Sequence, residues 1–265
     1  MTIDVRSGAS RVEVTVDNGL ARVTLNRPEK KNAIGTEMWS ALEEALAEIR
    51  NCSEVRVLIL AGAGDTFCAG ADLSSDQAQG KASTHRSQHE RMQWFNTVVA
   101  ELASLTVPTI AAVDGAAVGI GMNLALSCDF VIASERARFC EIFIRRALSV
   151  DGGGSWTLPR LVGMRKAKEL CMLGESITAS EALELGLVYR VVGVDALEAS
   201  VDDLANRLRG FSPSALASTK ALLNDSFSSS YSQALEAEAR LQALNIAGPD
   251  FQAAVRAFAA KSRVG

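Results

Sequence analysis

The sequence predicts an α/β fold whose body ends near residue 193 and gives way to a helical C-terminal part. Three observations predict it. Val12, Val14 and Val16 alternate with polar residues, Asn18-Gly19 supplies a turn, and Val23 and Leu25 resume the alternation, which is the pattern of a hairpin. A largely apolar run at residues 55–61 is short enough for a strand buried on both faces, 109–113 reads as another buried strand, and 130–133 and 188–192 as further strands, with helical segments between them. From Asp195 onward the pattern is helical throughout.

Taken in order, residues 1–10 read as a polar tail, followed by the hairpin. After the Asn26-Arg27-Pro28 break, Thr36 can cap a helix to about Asn51, with Met38, Leu42, Ala45, Leu46 and Ile49 on one face. Residues 62–75 are glycine-rich and predict a loop, and 88–105 an amphipathic helix. Beyond the 109–113 strand, small residues at 115–121 lead into a short apolar helix ending near Ser127. The turn at 151–154 opens helical segments expected to break at Pro159 and Gly163. Thr178 and Glu181 form a capping box, Ser212-Pro213 is an N-cap and first-position pair, and helices follow at 231–247 and 250–260. The division is a tail (1–10), a β/α core (11–193) and a helical region (194–265).

Composition excludes several function classes. A chain of 265 residues with 48% hydrophobic content can bury a large core. Its net charge of −4 argues against non-specific nucleic-acid binding, which needs a basic face. No apolar run approaches the roughly 20 residues that span a bilayer. The N-terminus lacks a basic-then-apolar leader, so a cytoplasmic location is expected. The five cysteines are odd in number and scattered among apolar neighbours, as reduced core residues would be.

Familiar catalytic patterns fail. His85 and His89 are the only histidines, lie four apart and lack a third metal ligand nearby. Gly153-Gly154-Ser155-Trp156-Thr157 misses the last glycine of a nucleophile elbow, and Leu124 stands where a dinucleotide loop needs its third glycine. Two strand-to-loop junctions remain: residues 61–73 and residues 112–123. Each leaves a buried strand through small residues that can expose backbone N–H groups, and the second N–H would also sit at a helix start, which favours a developing oxyanion.

With the segments Leu25-Asn26-Arg27-Pro28, Asn32-Ala33, Phe67-Cys68-Ala69-Gly70-Ala71-Asp72-Leu73, Pro108-Thr109-Ile110-Ala111-Ala112-Val113-Asp114-Gly115, Leu158-Pro159-Arg160-Leu161-Val162-Gly163 and Ala182-Leu183-Glu184-Leu185-Gly186-Leu187-Val188, the chain resembles the crotonase superfamily, the enoyl-CoA hydratase/isomerase family, over nearly its whole length. The resemblance implies a ββα superhelix core with a helical C-terminal region, a homotrimer or dimer of trimers, and an acyl-CoA substrate with no metal or other cofactor. It implies that the thioester oxygen lies between the N–H groups of Ala69 and Ile120. Ala69, Gly70, Ala71 and Asp72 would run along the CoA chain and Lys31 would lie near its adenine end. Phe258 and Lys261 would close over it, and residues 76–94 would line the acyl tail.

The pattern also departs from the family. The two glutamates that deliver water in its hydratases correspond to Asn123 and Phe143, and neither can exchange a proton with substrate. Glu141 lies two residues before Phe143, with a direction the sequence leaves open. Asp151 occupies a position where an aspartate supplies the acid/base or nucleophile in several relatives, and an apolar surround of Phe143, Ile144, Val150 and Trp156 would raise its pKa. Asp before glycines is equally a common turn. The expectation is therefore an isomerase-type proton shuttle through an enolate. The alternatives are a hydrolase with Asp151 as nucleophile and a non-catalytic acyl-CoA-binding protein. Ile120 would be strained if the oxyanion turn demands glycine torsions and harmless if it is already helical.

Overall fold

A computed structural model describes residues 11–73 and 87–261. The hairpin forms as β1 (Val12–Asp17) and β2 (Leu20–Leu25), with Asn18 and Gly19 both at positive φ in the turn. A 3-10 turn at Pro28–Lys30 leads to α1 (Thr36–Asn51), which buries the five residues read from its periodicity together with Trp39 and Ala41. Next come β3 (Val57–Gly62), α2 (Gln88–Ser104, opened by a Ser87/Glu90 capping box), β4 (Thr109–Val113), β5 (Ala116–Val118) and α3 (Ile120–Leu126). The body ends with β6 (Phe130–Ser134), β7 (Arg138–Cys140), α4 (Gly154–Leu173), β8 (Ser176–Thr178), α5 (Ala179–Glu184), β9 (Arg190–Val192) and α6 (Leu197–Arg209). Helices α7 (Pro213–Asp225), α8 (Tyr231–Ala247) and α9 (Pro249–Lys261) complete the described chain.

The main sheet runs β1-β2-β3-β4-β6-β9, parallel except for the hairpin. Its central strands are apolar on both faces for a reason. Leu58 and Leu60 of β3 pack with the cluster that holds α1, α2 and α3, while Val57, Ile59 and Ala61 pack with Ile110, Ala112, Ile132 and the Leu197, Val201 and Leu204 side chains of α6. Strands β5, β7 and β8 make a second, three-stranded sheet. Its strands have three residues each, too short to show an alternation in the sequence.

One expected break moves. Pro159 stays inside α4, and the helix departs from helical torsions at Gly163 alone (φ 76°, ψ 159°). The C-terminal helices bury no side chain of α7 or α8 completely. Lys220 of α7 reaches the body, donating to Asp129 at 2.8 Å and to the Val107 carbonyl. Among the described residues no helix is long and apolar enough to cross a membrane. The tail expected at residues 1–10 lies outside the described residues.

Candidate active site

The two loops singled out by the sequence leave β3 and β4, the second passing through β5, and press against each other. Parallel strands open such a crevice at their carboxyl ends. Cys68 N–H bonds the Ala116 carbonyl and Val118 N–H bonds the Cys68 carbonyl, both at 2.9 Å. Two glycines are needed for this approach. A β-carbon on Gly115 would collide with the Asp65 carbonyl, and one on Gly121 would lie 2.5 Å from the Cys68 carbonyl oxygen. Fully buried Asn32 pins the first loop from below, donating to the Ala63 and Thr66 carbonyls at 2.9 and 2.6 Å while its Oδ1 accepts from Arg27 N–H. Asp72 is ion-paired with Arg27 at 2.6 Å. Its carboxylate therefore braces the loop.

The geometry corrects one of the two expected donors. Ala69 N–H is already committed to the Lys31 carbonyl at 2.9 Å. Gly70, at φ 100°, then turns the chain. Ile34 N–H bonds the Gly70 carbonyl and Asp72 N–H bonds the Ile34 carbonyl, so the Ala71 between them faces the other way. The Ala71 N–H has no acceptor among the described residues, and Ala71 is exposed. Ala71 is the donor this loop offers. Two positions of sequence could not be told apart because the choice depends on the torsions of Gly70.

Ile120 stands at a helix start. It is the first residue of α3, where N–H groups have no intrahelical partner, and the positive φ falls on Gly119 instead (φ 54°, ψ −121°). Its β-branched side chain therefore carries no strain. The Phe143 ring lies under this turn, 3.4 Å from where a β-carbon on Gly119 would be.

Asp151 arrives from the other side. Gly152 and Gly153 both have positive φ, and a β-carbon on Gly152 would collide with Ile120 Cδ1. One on Gly154 would lie 2.8 Å from both polar atoms of the Asn123 side chain. The glycine run thus seats the Asp151 loop directly on α3. Asn123 Nδ2 donates to the Asp151 carbonyl at 2.9 Å. Burial pushes the Asp151 carboxyl up to about 6, and its Oδ1 is buried with no hydrogen-bond partner among the described residues. The surround differs in part from expectation: Ile144 and Trp156 are about half exposed, while Ile120 and Asn123 join the expected Val150 against the glycines that follow Asp151.

Glu141 was the residue of unknown direction, and it points inward. It is 1% exposed, and neither carboxyl oxygen has a partner of hydrogen-bond geometry among the described residues. Burial and then the Asp151 charge push it up to about 8, opposed by the neighbouring Asn123 amide. Its one signal in the sequence is that it interrupts an otherwise apolar run, residues 139–144.

Exposed Lys31 sits beside Ala69 at the rim of the first loop. Phe258 is exposed on α9, which packs on α8, and Lys261 is the last residue of that helix. Of residues 76–94, expected to line the acyl tail, only 87–94 are described. His85 lies outside the described residues, and His89 is an exposed residue in the first turn of α2.

The chain is similar to known proteins over most of its length. Residues 15–264 match the family model described as enoyl-CoA hydratase/isomerase. The 1,2-epoxyphenylacetyl-CoA isomerase of Escherichia coli is 36% identical over 93% of this chain and 94% of its own length. The trans-2-decenoyl-[acyl-carrier-protein] isomerase of Streptococcus mutans is 32% identical over 94% of each chain. The crystal structure of an enoyl-CoA hydratase from a Polaromonas species superposes with a TM-score of 0.89 at 35% identity, covering 94% of this chain and 97% of that one. Relatives of both kinds, isomerase and hydratase, thus span the whole β/α body and the C-terminal helices, and the chain belongs to the enoyl-CoA hydratase/isomerase family.

Proposed function

We propose that the chain is an enoyl-CoA isomerase-type enzyme that moves a double bond by shuttling one proton. The Asp151 carboxylate takes a proton from the acyl chain: the C–H bond breaks, an O–H bond forms, and the electron pair moves onto the thioester oxygen as an enolate. Ala71 and Ile120 N–H groups hold that oxygen, and the helix start at Ile120 adds its partial positive charge. Asp151 then returns the proton at another carbon. Coenzyme A enters as part of the substrate, and Lys31, Gly70, Phe258 and Lys261 are proposed to contact it.

The observation that carries this reading is the unpartnered Asp151 oxygen on a loop packed against the residue that donates the second N–H. A carboxyl raised to about 6 by burial is mostly ionised at neutral pH, yet remains a better base than an ordinary aspartate. Water delivery has no support here, because Asn123 Nδ2 is committed to the Asp151 carbonyl and position 143 carries a phenyl ring. Exposed Phe211, Leu223, Phe227 and Tyr231 on and beside α7 and α8 support self-association, proposed as a trimer or dimer of trimers.

The test is a panel of 2- and 3-enoyl-CoA esters in heavy water, read by mass spectrometry. The reading expects deuterium in the acyl chain and an altered double-bond position, both lost in Asp151→Asn. Deuterium uptake that is equal in Asp151→Asn would refute it. So would hydration of crotonyl-CoA as the main reaction. A covalent acyl-enzyme on Asp151 would favour the hydrolase instead, and CoA-ester binding with no exchange would favour a binding protein.

A further inference from the structure

Behind Asp151 the site has a deficit of hydrogen-bond donors. Asn123 Oδ1, both Glu141 oxygens and Asp151 Oδ1 are all buried acceptors without a partner among the described residues. Against these four stands the second N–H of Asn123 Nδ2, since the first is bonded to the Asp151 carbonyl. One N–H cannot satisfy four acceptors, and each buried acceptor left alone costs on the order of 1–3 kcal/mol. A proton on a carboxyl group turns one of those acceptors into a donor. Of the two carboxyls, Glu141 is the one sealed from solvent, at 1% exposure, while Asp151 is only half-buried.

We propose that Glu141 is a neutral carboxylic acid in the working enzyme and the positioning residue of Asp151, holding Asn123 and through it the loop that presents the shuttle, and limiting the site to one negative charge. The proposal rests on Asp151 being the shuttle, but its first half concerns Glu141 alone. No proton leaves Glu141 during turnover. Its O–H donates toward Asn123 and thereby orients the amide whose Nδ2 grips the Asp151 carbonyl.

The neighbours of Glu141 agree with a neutral acid. Asp151 and Asn123 face it from the loop and α3, and the Cys140 and Cys171 thiols lie near it on β7 and α4. Burial pushes both thiols up, Cys171 to about 11, so neither is charged near neutrality. The nearby cations are turned away: Arg145 bonds the Leu173 carbonyl, Arg138 bonds the Arg136 and Ala137 carbonyls, and Arg146 is exposed. Glu141 rises to about 8 under burial and the Asp151 charge. Its ionisation above that pH adds a second negative charge beside the one that passes from the Asp151 carboxylate to the enolate, and catalysis falls.

Two measurements test this on the full chain. Difference infrared spectra of wild type against Glu141→Gln are expected to show the carbonyl band of a neutral carboxylic acid at pH 7. The band should disappear towards pH 9–10 in wild type, be absent from Glu141→Gln and persist in Asp151→Asn. Its absence from wild type at pH 7 overturns the proposal, whatever Asp151→Asn does to activity. In kcat/KM for proton exchange, wild type is expected to fall about tenfold per pH unit above roughly pH 8. Glu141→Gln should lose this alkaline limb and keep the acid limb near pH 6. Gln retains a donor for Asn123 and should lose severalfold in rate at pH 7, whereas Glu141→Leu should lose ~10–100-fold. An alkaline limb that survives in Glu141→Gln overturns the positioning role.

Discussion

The oxyanion side of the cleft and its acid side are built on opposite principles. On the oxyanion side the polar groups are nearly all answered: Asn32 makes three hydrogen bonds, Arg27 pairs with Asp72, and the two loops exchange backbone bonds through Cys68. Among the described residues the Ala71 and Ile120 N–H groups have no acceptor, and they are the pair proposed to face a ligand. On the acid side Asn123, Glu141 and Asp151 together have four buried oxygens without a hydrogen-bond partner among the described residues. The difference separates a scaffold, which must not move as charge develops, from a reagent, whose protonation must change. Rigid donors stabilise an oxyanion without reorganisation, and a half-satisfied carboxyl has a pKa free to be tuned.

The sharpest break of this comparison is Asp151→Asn. It should reduce proton exchange by ~10²–10⁴-fold while CoA-ester affinity, measured by calorimetry, stays within a few-fold of wild type. Equal loss of affinity would mean that the acid side also builds the binding surface. On the scaffold side, Asn32→Ala leaves two buried carbonyls and one backbone N–H without partners, and should lower unfolding free energy by about 2–5 kcal/mol in urea titrations. Gly121→Ala forces a β-carbon onto the Cys68 carbonyl and should cost about 1–3 kcal/mol, with a drop in kcat because the helix start moves off the oxyanion. A kcat loss in Gly121→Ala without any stability loss would show that the two loops are less tightly coupled than their packing indicates.

The smallest effect is a pH dependence of stability. Glu141 has a raised pKa in the folded state, so its contribution is fully present below the unfolded value and is lost as pH rises through about 8. The Tm advantage of Glu141→Gln over wild type should therefore grow from pH 5 to pH 8 and then level off. A Tm difference that is flat across this window would assign Glu141 an ordinary, ionised state.

The sequence was most legible where local chemistry decides the outcome. Alternation and Asn18-Gly19 specify the hairpin, and Thr178 with Glu181 and Ser212 with Pro213 specify helix starts, because each needs only neighbours within a few residues. The two junction loops were visible from their glycines. What stayed hidden depends on torsion or on distant packing. Ala69 and Ala71 differ only by the turn at Gly70, Ile120 escapes strain only because Gly119 absorbs the positive φ, and the second sheet pairs strands of three residues. Glu141 could be seen as an interruption in an apolar run, but its burial places it near Asn123 and Asp151, which lie 18 residues before and 10 after it.

The contact between Ile120 and Gly152 ties the two sides together. Ile120, proposed to hold the oxyanion through its N–H, also occupies the space that any side chain at 152 would need. The pair behaves as a single size allowance shared between two positions. A library that varies residue 120 alone samples only half of the available pockets. Shortening it to alanine opens room in which position 152 has space for a side chain, though its positive φ still favours glycine or asparagine there. Reshaping this enzyme for a bulkier acyl chain therefore means choosing both residues at once, with the proton shuttle at 151 moving as they change.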